Sequence, residues 1–248
     1  MLRFLKDLLL RDLLILIVPF ALIGCASVAE HATHSTSAPA SPAPTAITEC
    51  EQEPPDTITR PTGKPYTGNL DVFEDPERDQ KLQVNRVMDI LKIKEGSSVA
   101  DIGAGSGWFT VRAARRVGNG AAVYAVDINR DYLDYIDKRA KREGLANIRV
   151  IQGKDNDPLL PEKSVDAVLL MKTYHEVAQP IQLLKRTRNA MRAGALLGII
   201  DRNGNGDHGI DKEVVINETT RAGFVLVNQY DFVKPDRADY FLVFRVGP

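Results

Sequence analysis

The chain has 248 residues and a mass of 27.4 kDa, with 44% hydrophobic and 26% charged residues. These are the proportions of a globular protein, and they exclude a multi-span membrane protein and a chain disordered throughout. Lys and Arg number 32 against 33 Asp and Glu, a net charge of −1 that supplies no basic face for a nucleic acid. Two cysteines, Cys25 and Cys50, exclude a disulfide scaffold and a Cys-rich zinc site. Of the four histidines, His31 and His34 lie in a polar tract, so no His-cluster metal site is expected.

Residues 1–25 read as an export signal. Arg3, Lys6 and Arg11 form a basic start, diluted by Asp7 and Asp12, and Leu13–Ile23 is an apolar run of 11 residues. A membrane span needs about 20. The run ends in Leu22-Ile23-Gly24-Cys25, which resembles the bacterial lipobox. That resemblance implies that Cys25 is acylated and becomes the first mature residue. With Ala26 after it, the resemblance further implies a lipid-anchored protein of the bacterial cell envelope, on the periplasmic side of the outer membrane. An uncleaved amphipathic anchor helix is the alternative, because Leu8–Leu10 extend the apolar stretch upstream; a cytosolic protein is the third reading. Residues 26–68 are expected to form a tether. Residues 26–65 hold seven of the chain's 14 prolines, with much Ser, Thr and Ala, and such a segment cannot bury enough apolar area to offset its ordering entropy. His31, His34 and Cys50 lie in it and are expected to be solvated.

From Asn69 onward the pattern becomes periodic. Gln80–Leu91 places Val84, Val87, Met88 and Leu91 on one helical face. Ser98–Ile102 reads as a short apolar strand, followed by a glycine-rich turn and a helix through Val117. Ala122–Asp127 is the second strand. Asp131–Glu143 is a helix, capped near Asn129 or Asp131 and stopped by Gly144. Ile148–Gly153 is the third strand and Val165–Lys172 the fourth. A helix over Ile181–Met191, entered through Pro180, leads to a fifth strand at Ala195–Asp201. Lys212–Ala222 is helical and ends at Gly223. Alternating strands and helices predict a mostly parallel, doubly wound α/β sheet of about seven strands, Rossmann-like, with helices on both faces. Phe224–Tyr230 and Tyr240–Val246 are strand-like, and Asp231–Asp239 between them has no room for a crossover helix. These two should form a terminal antiparallel hairpin.

Ligands of such sheets sit at the carboxyl ends of the strands. The first strand runs into Asp101-Ile102-Gly103-Ala104-Gly105-Ser106-Gly107. The second ends in Asp127, 26 positions after Asp101, a carboxylate suited to two ribose hydroxyls. The third ends in Gly153-Lys154-Asp155-Asn156, where a carboxylate could accept from an adenine amino group. A dinucleotide turn wants G-x-G-x-x-G; here Trp108 stands where the last Gly should be, and no cationic cluster is present for a pyrophosphate. The three acceptors describe a nucleoside pocket without phosphates.

Residues 99–107, Val123–Asp127, Ser164–Asp166 and Met191–Leu197 resemble motifs of class I S-adenosylmethionine-dependent methyltransferases, with Ala193 and Ala195 in place of that family's Pro and Gly. The resemblance covers about residues 74–246. It implies S-adenosylmethionine as cofactor. Asp101, Gly103, Ala104, Gly105 and Gly107 would line its methionine portion, Asp127 and Ile128 its ribose, and Asp155 and Asn156 its adenine, with Lys172 also against it. The segment Glu74-Asp75-Pro76-Glu77-Arg78-Asp79 resembles one that folds over the cofactor mouth in a subgroup of bacterial relatives; a solvated helix cap is the other reading.

The fourth strand runs into Lys172-Thr173-Tyr174-His175-Glu176, which faces the methyl donor in that family. His175 is a possible general base, with Glu176 orienting it, and Tyr174 a partner of the sulfonium or the substrate; both could equally be structural. Asp201–His208 after the fifth strand reads as a polar lid. Its Asp/Asn/Gly spacing lacks the closing Glu of a calcium loop, and no metal site is expected. The expected activity is methyl transfer to a small-molecule or lipid acceptor. A nucleoside-binding envelope protein without turnover and an NAD-dependent oxidoreductase stay open as alternatives.

Overall fold

The computed structural model describes residues 57–75, 77–204 and 208–248, all within the compact unit Gln52–Pro248. The stretch read as an export signal, Cys25 and the expected tether as far as residue 56 lie outside the described residues. Among the described residues no helix is long and apolar enough to cross a membrane.

A seven-stranded sheet carries the fold: β1 Val99–Ile102, β2 Val123–Asp127, β3 Ile148–Gln152, β4 Val165–Met171, β5 Met191–Arg202, β6 Phe224–Tyr230 and β7 Asp239–Val246. The order is β3-β2-β1-β4-β5-β7-β6. The first five strands pair parallel. β7 runs antiparallel to both β5 and β6, lying between them. The predicted sheet class, strand number and terminal antiparallel pair are all observed. After β3 the chain returns to the other side of β1, so β1 and β4 flank the point where the order reverses, and a cleft opens there at the strands' carboxyl ends.

Period-two side-chain alternation sends neighbouring residues of each strand to opposite faces. Val168 and Leu170 of β4 and Leu242 and Phe244 of β7 join one core layer. Ala167 and Leu169, with Phe241 and Val243, join the other. The first layer is closed by α5 Pro180–Ala190 and α6 Lys212–Arg221, through Ile181, Leu184 and Val215. The second is closed by α1 Arg78–Leu82, α2 Val84–Ile90 and α3 Trp108–Val117, through Leu82, Val87, Phe109 and Ala113. α4 Arg130–Arg142 packs Ile136 on Ala104 and Ala125. Its N-terminus is capped by Asn129, whose side chain accepts from the Asp131 N–H.

The helix expected over Gln80–Leu91 is two helices. Gln83 takes a left-handed conformation, φ 52°, between α1 and α2. In an unbroken helix Leu82 and Val84 would point about 200° apart. The break lets both bury, at 6% and 3% exposure. β5 also begins earlier than expected, at Met191, with an irregular register against β4 between Val165 and Ala167.

Candidate active site

A cavity of about 510 Å³ lies at the carboxyl ends of β1, β2 and β4. Asp101 in β1 with Gly103, Ala104 and Gly105 after it, Asp127 at the end of β2 with Ile128 after it, Asp155 after β3 and Lys172 after β4 all stand on the cavity wall. Of the residues expected to hold a cofactor, Gly107 and Asn156 do not line it. Gly107 is the N-cap of α3 at φ 74°, and a β-carbon there would come 2.9 Å from Ile136. Its glycine is needed for the turn and for α4 packing. Asn156 turns aside and donates to Gln179 Oε1 at 3.3 Å.

The β1 and β2 ends are locked together. The Gly105 N–H donates to Asp127 Oδ2 at 3.0 Å, and the Asn129 N–H donates to Oδ1 at 2.9 Å. Asp127 is 8% exposed. Burial pushes its carboxyl above the usual range, against the backbone N–H groups that favour its charge. Asp101 is fully enclosed, and burial raises its pKa to about 6 although Thr110 donates to it at 2.6 Å. Gly105 sits at φ 56°, and a β-carbon there would meet no atom within 4 Å. The backbone is therefore bare where a ligand would approach it.

The residues before α1 complete the wall. Thr62–Tyr66, at the end of the stretch read as tether, lines the cavity and lies on the domain. Arg60 pairs with buried Glu218, its backbone N–H donates to the Ala178 carbonyl at 2.9 Å, and the Tyr132 hydroxyl donates to the Tyr66 carbonyl at 2.6 Å. Arg60 and Tyr66, within the stretch expected as tether, are held by these polar contacts, which composition alone does not show. Glu74 and Arg78 of the charged segment are likewise folded onto the site. Glu74 pairs with Arg139 and accepts from the Ser106 hydroxyl at 3.0 Å, and Arg78 stands on the wall with its guanidinium 4.3 Å from the Trp108 ring centre. Trp108, also on the wall, has a buried indole N–H with no partner among the described residues.

At the β4 end the two expected catalytic residues part company. Tyr174 is 0% exposed in the core, and its hydroxyl donates to Glu218 Oε2 at 2.8 Å. Burial and the Glu218 charge raise its pKa well above that of a free phenol. It is structural, because its side chain projects to the α6 face, away from the cavity. His175 points elsewhere. Its Nδ1 lies 2.9 and 3.0 Å from the two carboxylate oxygens of Asp201, at the end of β5. Its Nε2 lies 3.6 Å from Glu176 Oε1, and its ring centre 6.4 Å from that of His208. Burial opposes protonation of His175, but the hydrogen bond and charge of Asp201, with Glu176, outweigh it and raise the pKa. Glu176 and His208 line the cavity, with His175 behind them. Lys172, expected on the cofactor, pairs with Asp239. Asp201 was expected at the start of a lid; it is fully buried, and residues 205–207 of that segment lie outside the described residues. The sequence reading missed the roles of Asp201, Glu218 and Arg60. The local signal for Asp201 was its position at a strand end.

Residues 99–194 match a family described as methyltransferase domain. The match covers 96 of the chain's 248 residues, and S-adenosylmethionine is the cofactor that it implies. The chain is 32% identical over 78 residues to a probable cobalt-precorrin-6B C(15)-methyltransferase (decarboxylating) of Methanosarcina mazei, covering 32% of this chain and 42% of that protein. It is 30% identical to a demethylmenaquinone methyltransferase of Lactobacillus johnsonii, covering 45% of this chain and 46% of that one. The alignments thus span less than half the length of these curated relatives. The fold matches a SAM-dependent methyltransferase from Aquifex aeolicus with a TM-score of 0.65 at 23% identity, over 71% of this chain and 96% of that one. It also matches a Burkholderia thailandensis 1,6-didemethyltoxoflavin-N1-methyltransferase with a TM-score of 0.58 at 17% identity, over 77% and 94% of the two chains.

The residues present fit this cofactor. Asp127 offers a buried carboxylate at a strand end, the bare backbone at Gly105 leaves room beside it, and Trp108 brings a donor without a partner among the described residues.

Proposed function

We propose that the chain transfers the methyl group of S-adenosylmethionine to a small-molecule or lipid acceptor. The single observation that carries the reading is the junction of Asp127 with Gly105. It sets a buried carboxylate beside open backbone at the carboxyl ends of adjacent parallel strands. The names of the relatives, which include demethylmenaquinone and precorrin methyltransferases, agree with an organic acceptor of this kind.

Asp127 and Ile128 would hold the ribose, Asp155 the adenine, and Asp101 with Gly103–Gly105 the methionine portion. The bound cofactor supplies a methyl group on a positive sulfur, which is already an activated leaving group. The chain's task is therefore alignment and exclusion of water. Thr62–Tyr66, Phe73 and Arg78 cover the cavity for that purpose. Phe73 and Tyr66 meet edge to face with ring centres 5.5 Å apart, giving this cover an apolar part suited to an organic acceptor. On the acceptor side His175 is the proton acceptor: Asp201 holds the proton on Nδ1 and leaves the Nε2 lone pair facing Glu176 and His208. By the lipobox resemblance at Cys25, the domain works in the bacterial envelope on a lipid anchor.

The test needs no acceptor. A ligand that binds only the folded state raises apparent stability by about 2.7 kcal/mol at a hundredfold excess over its Kd. Melting the chain with S-adenosylmethionine, S-adenosylhomocysteine, NAD and ATP in parallel should show stabilisation by the first two alone. Stabilisation by NAD alone would assign the site to an oxidoreductase, and silence from all four would remove the cofactor reading.

A further inference from the structure

Beyond methyl transfer, we propose that His175, Glu176 and His208 form a binding site for a divalent first-row transition-metal ion of the Zn²⁺ type, at the acceptor side of the cavity. One ligand atom from each residue, two imidazole nitrogens and one carboxylate oxygen, lies within 4.8 Å of the others. His175 Nε2 and Glu176 Oε1 are 3.6 Å apart. Ligand atoms about 2.0–2.1 Å from a shared tetrahedral ion lie about 3.4 Å from one another. That pair is therefore near coordinating distance already, and exposed His208 supplies the remaining movement.

What surrounds the three residues is independent support. Asp201 is 0% exposed. Its carboxylate accepts the His175 backbone N–H at 3.1 Å and the Arg202 N–H at 2.9 Å, besides facing His175 Nδ1. A buried carboxylate behind an imidazole assigns the proton to Nδ1, fixes the ring and leaves Nε2 as a lone-pair donor, the arrangement that orients metal-bound histidines. Glu176 is oriented in the same way, since its second oxygen accepts the Gly63 N–H. Each of these two ligands is thus held from behind by a contact that leaves its donor atom free.

The donor set selects the ion. Two imidazoles and one carboxylate suit Zn²⁺, Co²⁺ or Ni²⁺, whereas Mg²⁺ and Ca²⁺ favour all-oxygen shells. Three protein ligands leave one position of a tetrahedral ion open. Glu176 and His208 stand on the cavity wall, so that position faces the cavity. It is placed to take an oxygen, nitrogen or sulfur atom of the acceptor, whose proton is more easily lost on the ion. With the ion bound, His175 acts as a ligand; without it, Nε2 remains a free base.

The test is a Co²⁺ titration of the full chain after treatment with a chelator, followed by visible absorption. The expected result is one ion per chain with the intense d–d bands of low-coordinate Co²⁺, displaced by Zn²⁺. His208→Ala and Glu176→Gln, both on the cavity surface, should each weaken binding at least about tenfold, and Asp201→Asn by about 10–100-fold. The His31→Ala/His34→Ala double variant should bind as the wild type does. No d–d bands in the wild type, or bands that survive His208→Ala undiminished or vanish in the His31/His34 variant, would overturn the site. S-adenosylhomocysteine melting of the same samples reads the cofactor pocket separately. Cobalt binding without that stabilisation sinks only the methyl-transfer reading, and the reverse sinks only the metal site.

Discussion

The carboxylate of Asp201 at the end of β5 embraces Nδ1 of His175 in the turn after β4, at 2.9 and 3.0 Å. Adjacent parallel strands bring their carboxyl ends together, so two residues 26 positions apart, with α5 between them in sequence, meet. Because Asp201 is fully buried and both its carboxylate oxygens face Nδ1, it favours the imidazole tautomer with the proton on Nδ1. In a chain labelled with ¹⁵N-histidine, neutral His175 should show a protonated Nδ1 and an unprotonated Nε2. Asp201→Asn should shift that balance toward the other tautomer. An unchanged tautomer in the variant would mean that Asp201 does not orient the ring. Once an acceptor is identified, His175→Ala should lower turnover by roughly 10²–10⁴-fold with cofactor affinity nearly intact.

The cofactor pocket can be tested at the β1–β2 junction. Asp127→Ala should remove about 1.5–3 kcal/mol of S-adenosylhomocysteine binding, the cost of deleting a charged acceptor. Gly105→Val should abolish the melting shift, since it places a branched side chain where the backbone is bare and at φ 56°, where branched residues are strained. The chain's single tryptophan, Trp108, stands on the cavity wall and offers a second readout. Its fluorescence should change on ligand addition in the wild type and stay constant in Gly105→Val.

Asp101 makes stability depend on pH. Its pKa is about 6 in the folded chain against an ordinary 3.8, because burial disfavours the charge. Between those values the folded state keeps a proton that the unfolded chain has released. Stability from this group is therefore full below about pH 4 and is lost as pH rises through 6, by about 3 kcal/mol. Asp101→Asn keeps the shape and removes the titration. Denaturant midpoints should show the variant gaining on the wild type from pH 4 to 7, with no difference at pH 4. A constant difference across that range would contradict the burial argument.

Arg60 and Glu218 form a pair from the two ends of the described chain, with side chains 15% and 4% exposed. Arg60→Ala leaves Glu218 a buried carboxylate that faces the Tyr174 hydroxyl without its Arg60 partner. Breaking a buried pair in this way costs about 3–5 kcal/mol. Glu218→Gln in the Arg60→Ala background should recover much of that loss, because it removes the uncompensated charge. Urea unfolding of the two variants measures both. A loss below about 1 kcal/mol in Arg60→Ala would show that the segment before Tyr66 is not anchored here.

The lipid anchor is testable in cells. A fatty-acid probe fed to bacteria expressing the chain should label the wild type and leave Cys25→Ser unlabelled. Equal labelling of both would remove the lipobox reading.

Local sequence determined most of the architecture. A strand running into a glycine turn and then a helix fixes where β1 ends, and Asp101, Gly105 and Asp127 follow from strand ends that hydrophobic periodicity already marks. The antiparallel finish followed from a connection too short for a crossover helix. Tertiary structure decided what local pattern cannot carry. β7 inserts between β5 and β6, and Gln83 breaks a helix whose periodicity ran through it. Tyr174 and His175 are adjacent in sequence, yet the turn after β4 sends one into the core toward Glu218 and the other toward Asp201. His208 reaches His175 only because β5 ends beside β4. Burial and pairing partners depend on sheet order and on which face a side chain takes. Those are set by packing the whole chain at once, and no single segment encodes them.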